Sequence, residues 1–422
     1  MGTNEGQPLQ GMVDLTEPEL ARWRWFERHA QDVLGRYQVA EIRTPLLERA
    51  ALFEHAVGEG TDVVQKEMYR LTDRGGRELA LRPEGTAGVM RHLAGRGPEA
   101  EQARLYYLGP MFRAERPQAG RRRQFHQLGV ELLGAPRPRA DAECLALQWA
   151  LLEKLNLPQL EFQINTRGAP ADQPRVAAGY RAALEPRQGD LCADCRRRLA
   201  TNVLRVLDCK QPGCQALGAD LPPVVELLGA ESQAYFEAVQ QGLTALGVPY
   251  RVAPKLVRGL DYYAHTVWEV TAGGLGAQNA LSGGGRYRIR VGARDLEGVG
   301  FAIGLERLLA AWEEAGGERP APRPPALWLA ALSPEAESEQ LALAVRLRRV
   351  GLSCGLDLRG RSLKAQLRAA NQAAARWVLV RGPDELADGT YVLKDLRTGE
   401  QSVLDEVGWL AHQRALTARE IV

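Results

Sequence analysis

The 422-residue chain is 45% hydrophobic and 25% charged, enough apolar material for several cores in two or three domains, which excludes a disordered or collagen-like polymer. Its 54 Lys and Arg against 52 Asp and Glu leave a net charge of +2, so no whole-molecule field selects a polyanion and any such contact has to be local. No run approaches the ~20 apolar residues that span a bilayer, and the N-terminus has no basic patch followed by an apolar stretch, so a cytoplasmic protein with no membrane partner is expected.

In chain order, residues 17–37 place Leu20, Trp23, Phe26, Ala30, Val33, Leu34 and Tyr37 at helical spacing before a strand in VAEIRTPLLE. Short apolar segments at 79–81 and 105–112 flank the helical TAGVMRHLAG. QFHQLGVELLG then reads as a strand after an arginine-rich turn, which predicts an antiparallel hairpin with a basic loop. Residues 141–155 form an amphipathic helix and LEFQIN a strand, whereas 167–245 turn helical and irregular and read as an insertion. Residues 256–312 alternate strands with glycine clusters and end in VGFAIG and the helix LERLLAAWEEA. Four prolines in ERPAPRPPA, residues 318–326, mark an extended linker with a boundary near 325. Beyond it strand and helix alternate through a compact α/β domain at 326–422.

Chemistry-bearing residues concentrate in FRAERPQAGRRRQFHQLGVE, where Arg113, Arg116, Arg121, Arg122 and Arg123 crowd the loop. Period 2 then brings Gln127, Gly129 and Glu131 to one strand face. Gly129 would leave room for a ligand between two acceptors, and Arg113 could fork onto a phosphate. Read alone, the stretch is equally a solvated charged turn. The glycines at 298, 300 and 304 miss the dinucleotide fingerprint by one residue of spacing and read as close packing in a sheet.

The order of the motifs separates these readings. FRAERPQAGRRRQFHQLGVE resembles motif 2 of class II aminoacyl-tRNA synthetases in their histidyl form. EIRTPLLE, with Pro45, resembles motif 1, LALRPEGTAGVMR the amino-acid-binding segment, LVRGLDYYAHTVWEV the histidine-specific segment and GVGFAIGLERLL motif 3. GRSLKAQLRAAN and VLKDLRTGEQ resemble the family's anticodon-binding domain, so the likeness runs in order along nearly the whole chain. It implies an α+β catalytic domain, 1–325, built on a mixed, mainly antiparallel sheet of six or seven strands. A helical insertion at about 167–245 interrupts it, an α/β anticodon-binding domain at 326–422 follows, and motif 1 joins two copies as a homodimer.

The same resemblance implies a histidine–tRNA ligase whose partners are tRNA(His), L-histidine and ATP, with Mg2+ carried on the nucleotide. Arg258 and Arg113 would be the catalytic cations, Arg113 holding the α-phosphate and the histidine carboxylate, and Arg307 the γ-phosphate end. Glu84, Gly85 and Thr86 would take the ammonium and Gln127 the amino-acid backbone. Glu131 and Tyr263 would take the two ring nitrogens, with Tyr262 closing the pocket. Arg116 and Gln118 would approach the tRNA 5′ end. These roles suit the chemistry: joining two anions calls for positioned cations, and selecting an imidazole calls for partners on both nitrogens. Apart from the family pattern, Arg258 is also open to a structural ion pair with Asp261 or Glu269, and the two tyrosines to a half-buried place in a sheet.

A catalytically silent relative, the regulatory subunit of ATP phosphoribosyltransferase, is the alternative, but such relatives typically lack the anticodon-binding domain that this chain retains. A nucleic-acid scaffold would need no Glu131 paired with Tyr263. Four features depart from the family pattern: Arg288 stands where Asp is expected after GGGRY, the segment up to VGFAIG is short, the opening QGMVDLTE is unusual, and His265 stands where arginine is more usual. Cys192, Cys195, Cys209 and Cys214 form C-x2-C and C-x4-C pairs that could hold structural zinc, although the family's motifs contain no such cluster and zinc is not the favoured reading. No catalytic metal beyond nucleotide-borne Mg2+ is expected.

Overall fold

The structure, a computed structural model, describes residues 6–58, 61–97, 102–118, 120–258, 262–273, 279–317 and 324–420; Asp261 and most of the expected linker lie outside them. The chain divides into two compact units, Met1–Pro320 and Ala321–Val422. No described helix is long and apolar enough to cross a membrane.

In the first unit, the main sheet runs in the order Ala40–Glu41, Ala103–Phe112, Gln124–Leu133, Arg294–Gly304, Ala280–Val291, Tyr263–Thr271, Glu161–Thr166, Arg251–Val252. Its inner pairings are antiparallel and its two edge pairings parallel. The described sheet has eight strands where six or seven were expected, because each edge is a two-residue strand, too short to leave a period-2 signal.

The expected hairpin pairs Ala103–Phe112 with Gln124–Leu133 and sets Tyr107 opposite Gly129. Alternation along the second strand sends Leu128, Val130 and Leu132 into a core shared with the helices Glu19–Arg36, Pro138–Leu152, Ala230–Ala245 and Leu305–Glu314. Each fully buried aliphatic side chain there stabilises the fold by ~1.5–3 kcal/mol. The same alternation leaves Gln127 and Glu131 on the opposite face, beside a second core that includes Tyr107, Met111 and the helices Ala50–Val57 and Thr86–Ala94.

One buried ion pair ties the layers together. Arg286, in the glycine-flanked strand, donates to Asp141 of the Pro138–Leu152 helix at 2.6 Å, and Tyr235 donates to the same carboxylate at 2.8 Å. Asp141 is fully buried. Removing one partner strands a desolvated charge, so Asp141→Ala is expected to lower the unfolding free energy by ~3–5 kcal/mol in a denaturant titration, with much of the loss recovered when Arg286 is also made apolar.

The interval 167–245 contains two kinds of structure. Helices Gln173–Leu184, Ala193–Thr201 and Pro212–Ala219 enclose their own core of Val176, Tyr180, Leu199 and Leu217. The helix Ala230–Ala245 instead packs Phe236, Val239 and Leu243 into the main core. Helical periodicity reports that a face is buried but not against which partner.

The second unit has a five-stranded sheet in the order Cys354–Leu356, Leu327–Ala331, Trp377–Arg381, Tyr391–Asp395, Gln401–Leu404, parallel in its first three strands and antiparallel thereafter. Its long helix, Pro334–Arg349, starts where Ser333 accepts the Ala336 N–H at 3.2 Å.

Candidate active site

A cavity of about 310 Å³ opens on the face of the main sheet that carries Gln127 and Glu131. Its wall includes Glu84, Thr86, Arg113, Gln127, Glu131, Arg258, Tyr262, Tyr263 and Arg307, nine sequence-predicted residues drawn from four separate motifs. Gly85 does not line it, contrary to its expected ligand-binding place: a Cβ there would sit 2.3 Å from the Tyr107 ring. Gly129 is corrected in the same way, since the space it leaves holds that ring, 2.1 Å from where its Cβ would be, and not a ligand.

Glu131 lies at the closed end. It accepts hydrogen bonds from the Thr86 hydroxyl at 2.7 Å and the Tyr287 hydroxyl at 2.5 Å. Burial pushes its carboxyl up to about 8, the two hydroxyls opposing the rise. Tyr287 is a site residue that the motif reading missed; the register that sets it opposite Tyr263 would have exposed it had the strand pairing been known. Tyr262 packs edge-on against both, with centroids 4.8 Å from Tyr263 and 5.7 Å from Tyr287.

Glu84 is less open than expected. Its oxygens accept the N–H groups of Thr86 and Ala87 at 2.8 and 2.7 Å, closing the N-terminus of the Thr86–Ala94 helix. Burial raises its pKa, with these bonds opposing. The acceptor left over is Gln127 Oε1, buried and without a hydrogen-bond partner among the described residues. In the wall of a cavity such an atom calls for a hydrogen-bond donor.

Cations occupy the other end. Arg113 is held by its Nε bond to the Pro83 carbonyl at 2.9 Å and by stacking over Phe125 at 5.2 Å, an arrangement that aims the guanidinium along the cavity. Arg258 pairs with Glu269, one of the two partners foreseen for it, while its buried Nε has no partner among the described residues. It fits because position 283 is glycine: a Cβ there would lie 2.0 Å from the guanidinium. Arg307 donates to the carbonyls of Ala280 at 2.6 Å and Gly120 at 3.3 Å. Burial, and then the nearby Arg121, hold its pKa below the ordinary arginine value, a repulsion that an anion between the two would relieve. Glu306, the preceding residue, accepts the His126 N–H at 2.9 Å and so locks the start of this helix onto the hairpin.

The cavity thus presents a carboxyl and phenols at one end and arginines at the other. Arg116 and Gln118 stand apart from it, exposed on the hairpin loop.

The histidyl-tRNA synthetase family matches residues 11–171 and the anticodon binding domain family residues 328–407. The histidine–tRNA ligase of Desulfitobacterium hafniense is 44% identical over 416 residues, covering 96% of this chain and 97% of the relative. The chain belongs to the histidyl-tRNA synthetase family.

Among solved structures, the apo histidyl-tRNA synthetase of S. aureus superposes with a TM-score of 0.80 at 32% identity, over 97% of this chain and 99% of that one. An ATP phosphoribosyltransferase regulatory subunit/histidyl-tRNA synthetase from Bacillus halodurans C shares the fold, at TM-score 0.62 and 22% identity, over 89% of this chain and 98% of that one. Arg288 and His265, the single-residue departures from the histidyl-tRNA synthetase pattern, lie away from the cavity wall. Arg288 pairs with Asp295 at 3.3 Å and Glu297 at 3.7 Å across the neighbouring strand. His265 stacks on Tyr235 at 4.2 Å, where the strand bulges and its φ is 50°.

Proposed function

We propose that this chain is a histidine–tRNA ligase that makes histidyl-adenylate and pyrophosphate from L-histidine and Mg2+-bound ATP, then passes the histidyl group to the terminal ribose hydroxyl of tRNA(His) with release of AMP. The observation that carries this reading is that Glu131, Tyr263 and Arg258, far apart in sequence, line one cavity.

The imidazole enters the Glu131 end. Glu131 and Tyr263 serve its two nitrogens, and Gln127 Oε1 takes an N–H of the ammonium together with Glu84 and Thr86. Arg113 and Arg258 bracket the point where the histidine carboxylate attacks the α-phosphorus, and Arg307 holds the γ-phosphate end of the departing pyrophosphate. The magnesium ion comes with the nucleotide and neutralises its phosphates. The protein supplies fixed guanidinium groups that need no reorganisation as charge moves to the leaving group.

The motif 1 side chains Leu46 and Leu47, and Leu71 on a small three-stranded sheet, are 43%, 44% and 38% exposed, which supports a homodimer that covers them. Its place is the cytoplasm, where the charged tRNA is used. Pyrophosphate exchange that requires histidine, followed by charging of tRNA(His), tests the whole reading, and a silent regulatory relative would do neither. Arg116→Ala is expected to lower kcat/KM for charging by about 10-fold, the scale of one lost nucleic-acid contact, with pyrophosphate exchange unchanged. Equal loss in both assays would remove Arg116 from tRNA contact.

A further inference from the structure

The insertion brings four cysteines to a point. Cys192 is the N-cap of the Ala193–Thr201 helix and Cys195 lies in its first turn, while Cys209 and Cys214 flank the start of the Pro212–Ala219 helix. All four are free, and their Sγ atoms lie within 4.8 Å of one another, with Cys192 and Cys209 3.8 Å apart. A zinc ion held by four thiolates at ~2.3 Å places its sulfurs ~3.8 Å apart, so a small contraction closes the tetrahedron.

Backbone donors already face the sulfurs. The Cys192 N–H reaches Cys214 Sγ at 3.3 Å, the Cys195 N–H reaches Cys192 Sγ at 3.5 Å, and the Gln211 N–H reaches Cys209 Sγ at 3.5 Å. Amides aimed at sulfur favour thiolate over thiol and orient the ligands, as the outer contacts of metal sites do. Cysteines serving only as small apolar core residues need neither convergence nor such donors. The surrounding core is also small, and mini-domains of this size usually add a metal or disulfides to a few apolar side chains.

We propose that Cys192, Cys195, Cys209 and Cys214 bind one structural Zn2+. The balance drawn from sequence lay against zinc, because the family's motifs hold no cysteine cluster; convergence in space reverses it. The site bears on catalysis only through position. Val257, the residue before Arg258, is buried in the same cluster as Cys195, Cys209 and Cys214, and the Lys255 ammonium donates to the Leu221 carbonyl. The metal therefore anchors the segment that delivers Arg258.

Elemental analysis of the purified full-length protein is expected to find one zinc per chain, retained in Cys354→Ser and lost in the double variant Cys209→Ser/Cys214→Ser. To separate metal loss from misfolding, wild-type protein is stripped with a mercurial and a chelator, reduced again, and titrated with Co2+ alone. Sulfur-to-cobalt charge transfer with the intense ligand-field bands of a tetrahedral tetrathiolate, bleached by one equivalent of Zn2+, supports the site. Wild-type protein with far less than stoichiometric zinc and no such cobalt spectrum overturns it. So does unchanged zinc in the double variant, or iron in place of zinc.

Discussion

Arg258→Ala is expected to lower kcat of histidine-dependent pyrophosphate exchange by about 10²- to 10³-fold, the scale set by removing one preorganised donor from a transition state. KM for either substrate should move much less, because the guanidinium matters most when charge crosses from the histidine carboxylate to the leaving pyrophosphate. The Glu269 partner and Arg258 itself are each about one quarter exposed, at 26% and 25%, so water can solvate the carboxylate left behind. Stability should therefore fall by no more than ~1 kcal/mol. Arg258→Lys restores the charge without the planar fork and should recover only part of the rate. An alanine variant with normal exchange would reduce Arg258 to the structural half of its pair with Glu269.

Glu131→Gln is expected to separate function from stability. Its folded-state pKa of about 8 lies far above the ordinary carboxyl value of 4.5, so between those values the folded protein holds a proton that the unfolded chain has released. Wild-type stability then declines as pH rises across that window and levels off above it. Glutamine cannot ionise, so the variant should gain on wild type through the same window, by about 3 kcal/mol at pH 8 once a weakened hydroxyl contact of ~1 kcal/mol is subtracted. Histidine recognition should move the other way. The amide keeps the shape but cannot give up a proton or carry charge opposite the imidazole, and kcat/KM for histidine should drop by about 10²-fold or more, with KM for ATP little changed. Parallel stability curves for the two proteins from pH 5 to 9 would show that Glu131 is not held protonated.

The two experiments probe opposite ends of the cavity, and these ends were unequally legible. Arg113, Glu131, Tyr263 and Arg307 could be named because each sits in a motif whose residue order carries the assignment, and the alternation LGVEL puts Glu131 on the face away from the apolar side chains. The Tyr107 ring shows where that reasoning stopped. Gly129 was expected to make space for a ligand, and it does make space, but for a side chain from the neighbouring strand. Nothing local to Gly129 distinguishes these cases, since the occupant arrives from a strand whose register is fixed elsewhere. Tyr287 was overlooked for the same reason: its hydroxyl becomes a partner of Glu131 only once the strand Arg294–Gly304 has paired between their two strands.

By itself the sequence determined the order of helix and strand, which face of each is apolar, the family, and the residue types able to bind an imidazole and neutralise phosphates. These follow from local periodicity and from motifs read along one dimension. The tertiary structure decided which groups share a cavity, that each Glu84 oxygen already accepts an N–H at a helix start, that Gln127 keeps an acceptor without a partner among the described residues, and that four cysteines near the starts of two helices meet. Burial and hydrogen-bond partners are set by elements distant in the chain, so they exist only once the chain has closed on itself.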